Sequence, residues 1–190
     1  MKAVGISASP RRSGNSEILL DRALEGAASA GADIGKIVLS ELDFKPCQEC
    51  GGCDNSGVCV IRDGMDRIYG ELDKAGAVLI ASPVFFANLS AQAKMMIDRF
   101  QCAWIAKYIL KPRSPVKRRR GIFIATAGSY RKDHFKNAGS VVKAFFATID
   151  AEYAGELFCG GIEKTLVISQ DEKTLNKAYE LGKGLVKADE

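Results

Sequence analysis

Short apolar runs alternate along the whole chain with longer amphipathic ones, and this alternation is what most narrows the folds open to it. Ala77-Val78-Leu79-Ile80-Ala81 and the run at 121–125 carry no polar side chain at any position, the pattern of strands covered on both faces. Strands are predicted at 2–7, 33–39, 77–81, 121–125 and 152–158, with a short extended run at 166–169. Helices are predicted at about 15–30, 65–74, 90–105, 135–149 and 171–187, with Asp63 capping the second of them. Their apolar residues recur at helical spacing, as in Ile18, Leu19, Leu20 and Ala23, or Met65, Ile68, Tyr69 and Leu72. Lys111-Pro112-Arg113-Ser114-Pro115 breaks the chain before the fourth strand.

Strands that alternate with helices of this length predict a parallel sheet with helices on both faces. Five such strands in 190 residues suit an α/β flavodoxin-like three-layer sandwich better than a full dinucleotide-binding domain. The expectation is one domain over residues 1–190 with a cysteine-rich loop at about 45–62. In such a sheet ligands sit beyond the carboxyl ends of the strands, so the loops after strands one, three and four carry the functional expectation.

Bulk properties exclude several classes. A net charge of +4, from 27 basic and 23 acidic residues, is too small to imply nucleic acid. The longest apolar stretch, 75–87, is interrupted by Pro83 and too short to span a bilayer. The first residues lack a signal-peptide layout, which predicts a cytoplasmic protein without a membrane partner.

The loop after strand one is Ser7-Ala8-Ser9-Pro10-Arg11-Arg12-Ser13-Gly14-Asn15-Ser16. Hydroxyls and unpaired N–H groups at a helix start attract a phosphate, and Arg11 or Arg12 adds a charge-assisted contact. The competing reading is an ordinary turn in which Asn15 or Ser13 is only an N-cap. Neither the triphosphate-binding G-x-x-x-x-G-K-[ST] nor the dinucleotide fingerprint G-x-G-x-x-G is present. The loop after strand three, Ser82-Pro83-Val84-Phe85-Phe86-Ala87-Asn88, offers aromatic surface and an amide, as a flat heterocycle requires. Its competing reading is that Phe85 and Phe86 cap the core. Thr126-Ala127-Gly128-Ser129-Tyr130 is small enough for backbone to approach a ligand edge.

Four cysteines fall at Cys47, Cys50, Cys53 and Cys59, a C-x2-C-x2-C-x5-C spacing. Three thiolates two residues apart wrap readily around a soft metal centre, and the fourth closes the shell. A disulfide framework fits poorly, because close neighbours rarely have the geometry and six cysteines are too sparse for a stapled scaffold. The cluster reads as metal-binding or redox-active.

Taken together, the Ser7–Ser16 loop, Cys47 to Cys59 with Arg62-Asp63-Gly64-Met65, and Ser82-Pro83-Val84-Phe85-Phe86 with Lys94 and Ile97-Asp98-Arg99 resemble the NADPH-dependent FMN reductase family. The likeness is greatest to its iron–sulfur flavoprotein branch. The resemblance implies a flavodoxin-like fold, non-covalent FMN and a homodimer or homotetramer. It implies Ser9, Arg11, Ser13, Asn15 and Ser16 around the FMN phosphate. Pro83, Val84, Phe85, Phe86 and Asn88 would line the ribityl chain and ring, and Thr126, Ala127 and Gly128 the far edge. Catalysis would be centred on the flavin, with no dedicated acid or base. Cys47, Cys50, Cys53 and Cys59 would ligate a 4Fe–4S cluster, with free thiols or zinc as the alternatives. Electrons would come from NAD(P)H or a ferredoxin-like protein and leave to a quinone, a flavin or a protein. Two positions depart from the family: Phe85 stands where tyrosine is common, and Gly64 where an acidic residue often follows Asp63.

Remaining features have plainer readings. Cys102 and Cys159 sit in apolar settings as packed thiols. His134, the single histidine, is placed at the surface. Lys117-Arg118-Arg119-Arg120 reads as a solvated run or as an attractor for an acidic partner. Trp104 and Tyr108 belong either to the core or to a subunit interface.

Overall fold

The computed structural model describes residues 1–111, 118–162 and 167–186. The strands are β1 (Lys2–Ser7), β2 (Asp33–Val38), β3 (Ala77–Phe85), β4 (Asn88–Leu89), β5 (Arg119–Thr126) and β6 (Ala151–Cys159). The helices are α1 (Asn15–Ser29), α2 (Met65–Lys74), α3 (Ala91–Arg99), α4 (Gln101–Trp104), α5 (Lys132–Thr148) and α6 (Glu172–Leu185). Five strands pair in parallel in the order β2-β1-β3-β5-β6, and two-residue β4 folds back antiparallel on the end of β3. The α/β flavodoxin-like expectation is met, with its switch of strand order between β1 and β3.

Burial on both faces follows from the apolar strands. Along β3, Val78 and Ile80 face one core with Met65, Met96, Phe123 and Phe146, while Ala77, Leu79 and Ala81 face a second with Leu20, Ile122 and Leu185. The second core is closed by α1 crossing α6 at glycines. A β-carbon on Gly26 would lie 2.0 Å from the Tyr179 carbonyl oxygen, and one on Gly182 would lie 1.8 Å from that of Ala23. Only glycine lets these backbones approach so closely.

Several elements differ from the sequence expectation. The single helix predicted at 90–105 is α3 followed by α4, divided at Phe100, and the chain then runs through a π-helical turn, Ile105–Leu110. Strand β3 continues past Pro83 to Phe85, because proline there lies beyond the end of β1 and pairs only toward Thr126 of β5. The extended run expected at 166–169 is a 3-10 turn, Val167–Gln170, with Leu166 outside the described residues. The turn buries Ile168 in the second core, and the Ile168 N–H donates to Asn15 Oδ1 at 3.3 Å.

The basic run is also used differently. Lys117 lies outside the described residues, but Arg119 donates to the Ile149 carbonyl, and Arg120 to those of Gly184 and Leu185. These arginines satisfy orphan carbonyls where α5 and α6 end, so they are structural rather than merely solvated.

Candidate functional site

The loops that leave the carboxyl ends of β1, β3 and β5 meet around one cavity of about 410 Å³. Its walls contain Ser9, Arg11, Asn15 and Ser16 from the first loop, Pro83, Val84 and Phe85 from the second, and Thr126, Ala127 and Gly128 from the third. Ser13, Phe86 and Asn88 are not part of those walls. Pro10, Gly14 and Ile162 complete the lining, and sequence reasoning had not singled out Ile162.

The first loop opens directly onto α1. Gly14 is the N-cap and contributes no side-chain bond, so neither Asn15 nor Ser13 caps the helix. The helix start, with its partial positive charge, instead faces the cavity beside the buried hydroxyls of Ser9 and Ser16. Ser9 Oγ accepts from the Arg11 N–H at 3.0 Å and holds the turn. Ser13 sits in the left-handed region at φ 53°, and its N–H donates to Glu17 Oε2 at 2.7 Å.

Glu17 is 2% exposed and is bonded by three groups. Besides Ser13, Lys36 Nζ lies 2.7 Å and Arg12 Nη2 3.2 Å from its Oε1. Burial opposes the charge, but the Lys36 ammonium, the Ser13 N–H and Arg12 outweigh it and hold the carboxyl below its ordinary value. This buried carboxylate fixes the path of the loop.

The second loop is a hairpin. Phe85 pairs with Asn88, leaving Phe86 and Ala87 as the turn, both with positive φ (48° and 61°). That is the backbone of a type I′ turn, which ordinarily carries Asn-Gly. The core-capping reading of the two aromatics does not hold. Phe85 is 49% exposed on the cavity wall, and Phe86 is wholly exposed at the tip. Asn88 Oδ1 accepts from the Leu89 N–H at 2.8 Å. Ser90 caps α3, accepting from the Ala93 N–H and donating to the Ala8 carbonyl at 2.6 Å. The hydroxyl thereby ties the third element to the first loop.

The four cysteines rim a second concavity of about 330 Å³, together with Gln101, Cys102 and Arg99. The helix behind it is capped at Gly64 rather than at Asp63 as expected; Asp63, one residue earlier, instead accepts from the Met65 N–H through its Oδ1 at 2.9 Å. Gly64 is explained by close approach: a β-carbon would lie 2.7 Å from the Asp43 carbonyl oxygen. Among the described residues, no three cysteine, histidine or acidic side chains converge as a single bound ion would require. The thiols instead surround a space, with Cys50 exposed and the other three partly so.

Arg99, which sequence reasoning had quoted only as part of a motif, lies fully buried beside this loop. Its Nη2 donates to Cys59 Sγ at 3.4 Å, and its Nη1 donates to Asp63 Oδ2 at 2.7 Å. Burial works against the Asp63 charge, yet Arg99 and the Lys45 and Met65 N–H groups keep its carboxyl below the ordinary value. Cys102 is buried as expected, but it also borders the cysteine concavity. The helical spacing of Arg99 and Phe100 with Ala93 and Met96 is the signal that would have placed Arg99 on the buried face. Elsewhere, His134 is half-buried with Nδ1 3.5 Å from Ser129 Oγ. Trp104 and Tyr108 pack against each other with ring centroids 5.5 Å apart and planes tilted by 44°, and both are partly exposed, so they are not core residues.

The sequence pattern of NADPH-dependent FMN reductases matches residues 1–151. The chain belongs to this family. Among curated relatives, an iron–sulfur flavoprotein of Archaeoglobus fulgidus is 42% identical over 99 residues, covering 52% of this chain and 45% of that protein. Another, from Methanosarcina thermophila, is 39% identical over 99 residues, covering 52% of each. The chain spans about half the length of the curated relatives it matches. Among solved structures, an NAD(P)H:quinone oxidoreductase from Methanothermobacter marburgensis superposes with a TM-score of 0.72 at 16% identity, covering 100% of this chain and 99% of that one. An FMN-dependent NADH-azoreductase from Bacillus anthracis, solved with FMN, gives 0.68 at 18% identity over 98% and 99% of the two chains. At such identities the structures attest the fold of the family member, while the iron–sulfur flavoproteins attest its sequence kinship. No helix among the described residues is long and apolar enough to cross a membrane.

Proposed function

We propose that this family member is an FMN-dependent oxidoreductase that moves electrons between NAD(P)H or a ferredoxin-like donor, FMN and a 4Fe–4S cluster, with a quinone, a flavin or a protein as acceptor. The observation that carries the reading is the meeting of three separate loops in one cavity at the carboxyl ends of β1, β3 and β5. The uncapped start of α1 and the buried Ser9 and Ser16 hydroxyls supply anion donors, so the phosphate belongs there with Arg11 and Asn15. Ser13 serves by bracing that turn through Glu17. Pro83, Val84 and Phe85 offer the apolar wall for the ring, with Thr126, Ala127 and Gly128 at its other edge. Phe86 and Asn88, at the hairpin beside the cavity, would keep water from the ring. Bound FMN supplies a centre that exchanges electrons in pairs or singly. The protein's part is to orient it and to exclude water.

For the cysteine loop, the donor set fits a cluster. Four thiols rim a concavity too open for one ion, and the buried Arg99 Nε–H has no partner among the described residues. Cys47, Cys50, Cys53 and Cys59 would hold it. The adjoining, part-exposed rings of Trp104 and Tyr108 favour a homodimer or homotetramer through that surface.

The deciding experiment is an anaerobic absorbance spectrum with iron and sulfide analysis, followed by FMN titration and NAD(P)H oxidation. Flavin bands near roughly 375 and 450 nm and about four irons per chain are expected. Arg11→Ala and Ser16→Ala should each weaken FMN by about tenfold or more, or roughly 1.4 kcal/mol. A chain that binds no FMN overturns the reading. FMN without iron reduces it to a simple FMN reductase, and FMN without NAD(P)H oxidation to an electron carrier.

A further inference from the structure

The cysteine loop has two feet, and one side chain grips both. Arg99 Nη1 donates to the Lys45 carbonyl at 2.8 Å, two residues before Cys47. Its Nη2 donates to the Ile61 carbonyl at 3.2 Å, two residues after Cys59. The same fork reaches Asp63 Oδ2 and Cys59 Sγ. The guanidinium comes from α3, whose Ala93 and Met96 are buried in the core, so it is delivered from a rigid element. Residues 46–60 are thereby closed into a ring by a planar cation. A lysine, with its donors at a single point, has no geometry for that task.

We propose that Arg99 is the positioning residue of the cysteine centre. It staples the loop shut independently of any metal, and it donates a charged hydrogen bond to Cys59 that raises the reduction potential of what the thiolates hold. The second half rests on the cluster reading above; the first does not. The electrostatic argument is direct. Four thiolates concentrate negative charge, and adding an electron increases it. A buried cation bonded to one sulfur therefore favours the reduced form. No other arginine or lysine side chain borders that concavity among the described residues.

The test uses the full chain with FMN bound, as wild type, Arg99→Lys and Arg99→Met. Circular dichroism and flavin content establish that each variant is folded. In metal-free, reduced protein, backbone hydrogen exchange over 46–60 is expected to quicken at least tenfold in both variants, with α1 unchanged. In protein reconstituted anaerobically with iron and sulfide, Arg99→Met should shift the reduction equilibrium at least tenfold toward the oxidised form. That is a fall of about 59 mV for a one-electron couple. Arg99→Lys, which keeps the charge, should shift it less. A purely structural residue would change the exchange and leave the potential alone.

Wild-type exchange in folded variants overturns the staple, and an unchanged potential overturns the tuning. Should Arg99→Met fail to fold, Arg99→Gln, which keeps polar atoms at the site but carries no charge, takes its place: it must both loosen the loop and lower the potential. If wild type takes up no iron, the cluster reading and the tuning fall together, and exchange alone still decides the staple.

Discussion

Replacing Glu17 with glutamine separates the charge of this buried carboxylate from its shape. The amide retains an oxygen for the Ser13 N–H but no longer pairs with Lys36 and Arg12. Those cations are themselves part-exposed, with side chains 27% and 51% accessible, so each pair contributes at the modest end, about 0.5–1 kcal/mol. Weakening the charged bond from Ser13 to a neutral one costs about another 0.5–1 kcal/mol. The sum, about 1.5–3 kcal/mol, corresponds to a fall in Tm of about 3–12 °C for a chain of this size. FMN affinity should also drop severalfold, because the turn must then be ordered during binding.

The pH dependence carries the sign. Glu17 has a folded pKa below its ordinary 4.5, so its stabilisation is fully present above that value and is lost as the pH falls through the lowered one. Wild type and Glu17→Gln should therefore differ fully at about pH 6–7 and converge as the pH falls below 4.5 and through the lowered value. Thermal melts across that range and FMN titration by flavin fluorescence read both effects. Equal Tm and equal FMN affinity at neutral pH would refute the claim that this carboxylate holds the loop.

Three further outcomes are expected. Gly182→Ala drives a methyl into the Ala23 backbone and should cost about 1–3 kcal/mol, read as a lower Tm with the flavin loops untouched. The double change Phe86→Asn with Ala87→Gly suits both turn positions to positive φ and removes only the half-buried methyl of Ala87, so Tm should rise by about 2–6 °C. Cys159, whose thiol burial pushes up to about 11, should resist iodoacetamide at pH 8 while exposed Cys50 reacts, as peptide mass spectrometry would record.

What was legible in the sequence is what depends on local pattern. The apolar runs of β3 and β5 announced a sheet buried on both faces, and the hydroxyl-rich, aromatic and small loops fell at the strand ends where such sheets bind ligands. What stayed hidden depends on partners distant along the chain. Arg99 meets Lys45 and Ile61 only once the sheet brings them together. Glu17 is indistinguishable from a helix-dipole acid until Lys36 of β2 lies beside it. The exposure of Phe85 and Phe86 follows from the β3–β4 hairpin, whose turn carries none of the residues that usually signal one. The halt at Phe100 has no glycine or proline to mark it.

Helix α3 begins at a hydroxyl that holds the first loop and ends at a guanidinium that holds the cysteine loop. Nine residues, about 13 Å of helix, thus form a common beam between two otherwise separate sites. To the extent that the beam moves as one piece, occupancy at one end restricts motion at the other. Thermodynamic reciprocity then requires that whatever filling the cysteine concavity does for FMN affinity, FMN does equally for the cysteine concavity. The order in which the two sites fill would alter the route of assembly, never the total coupling.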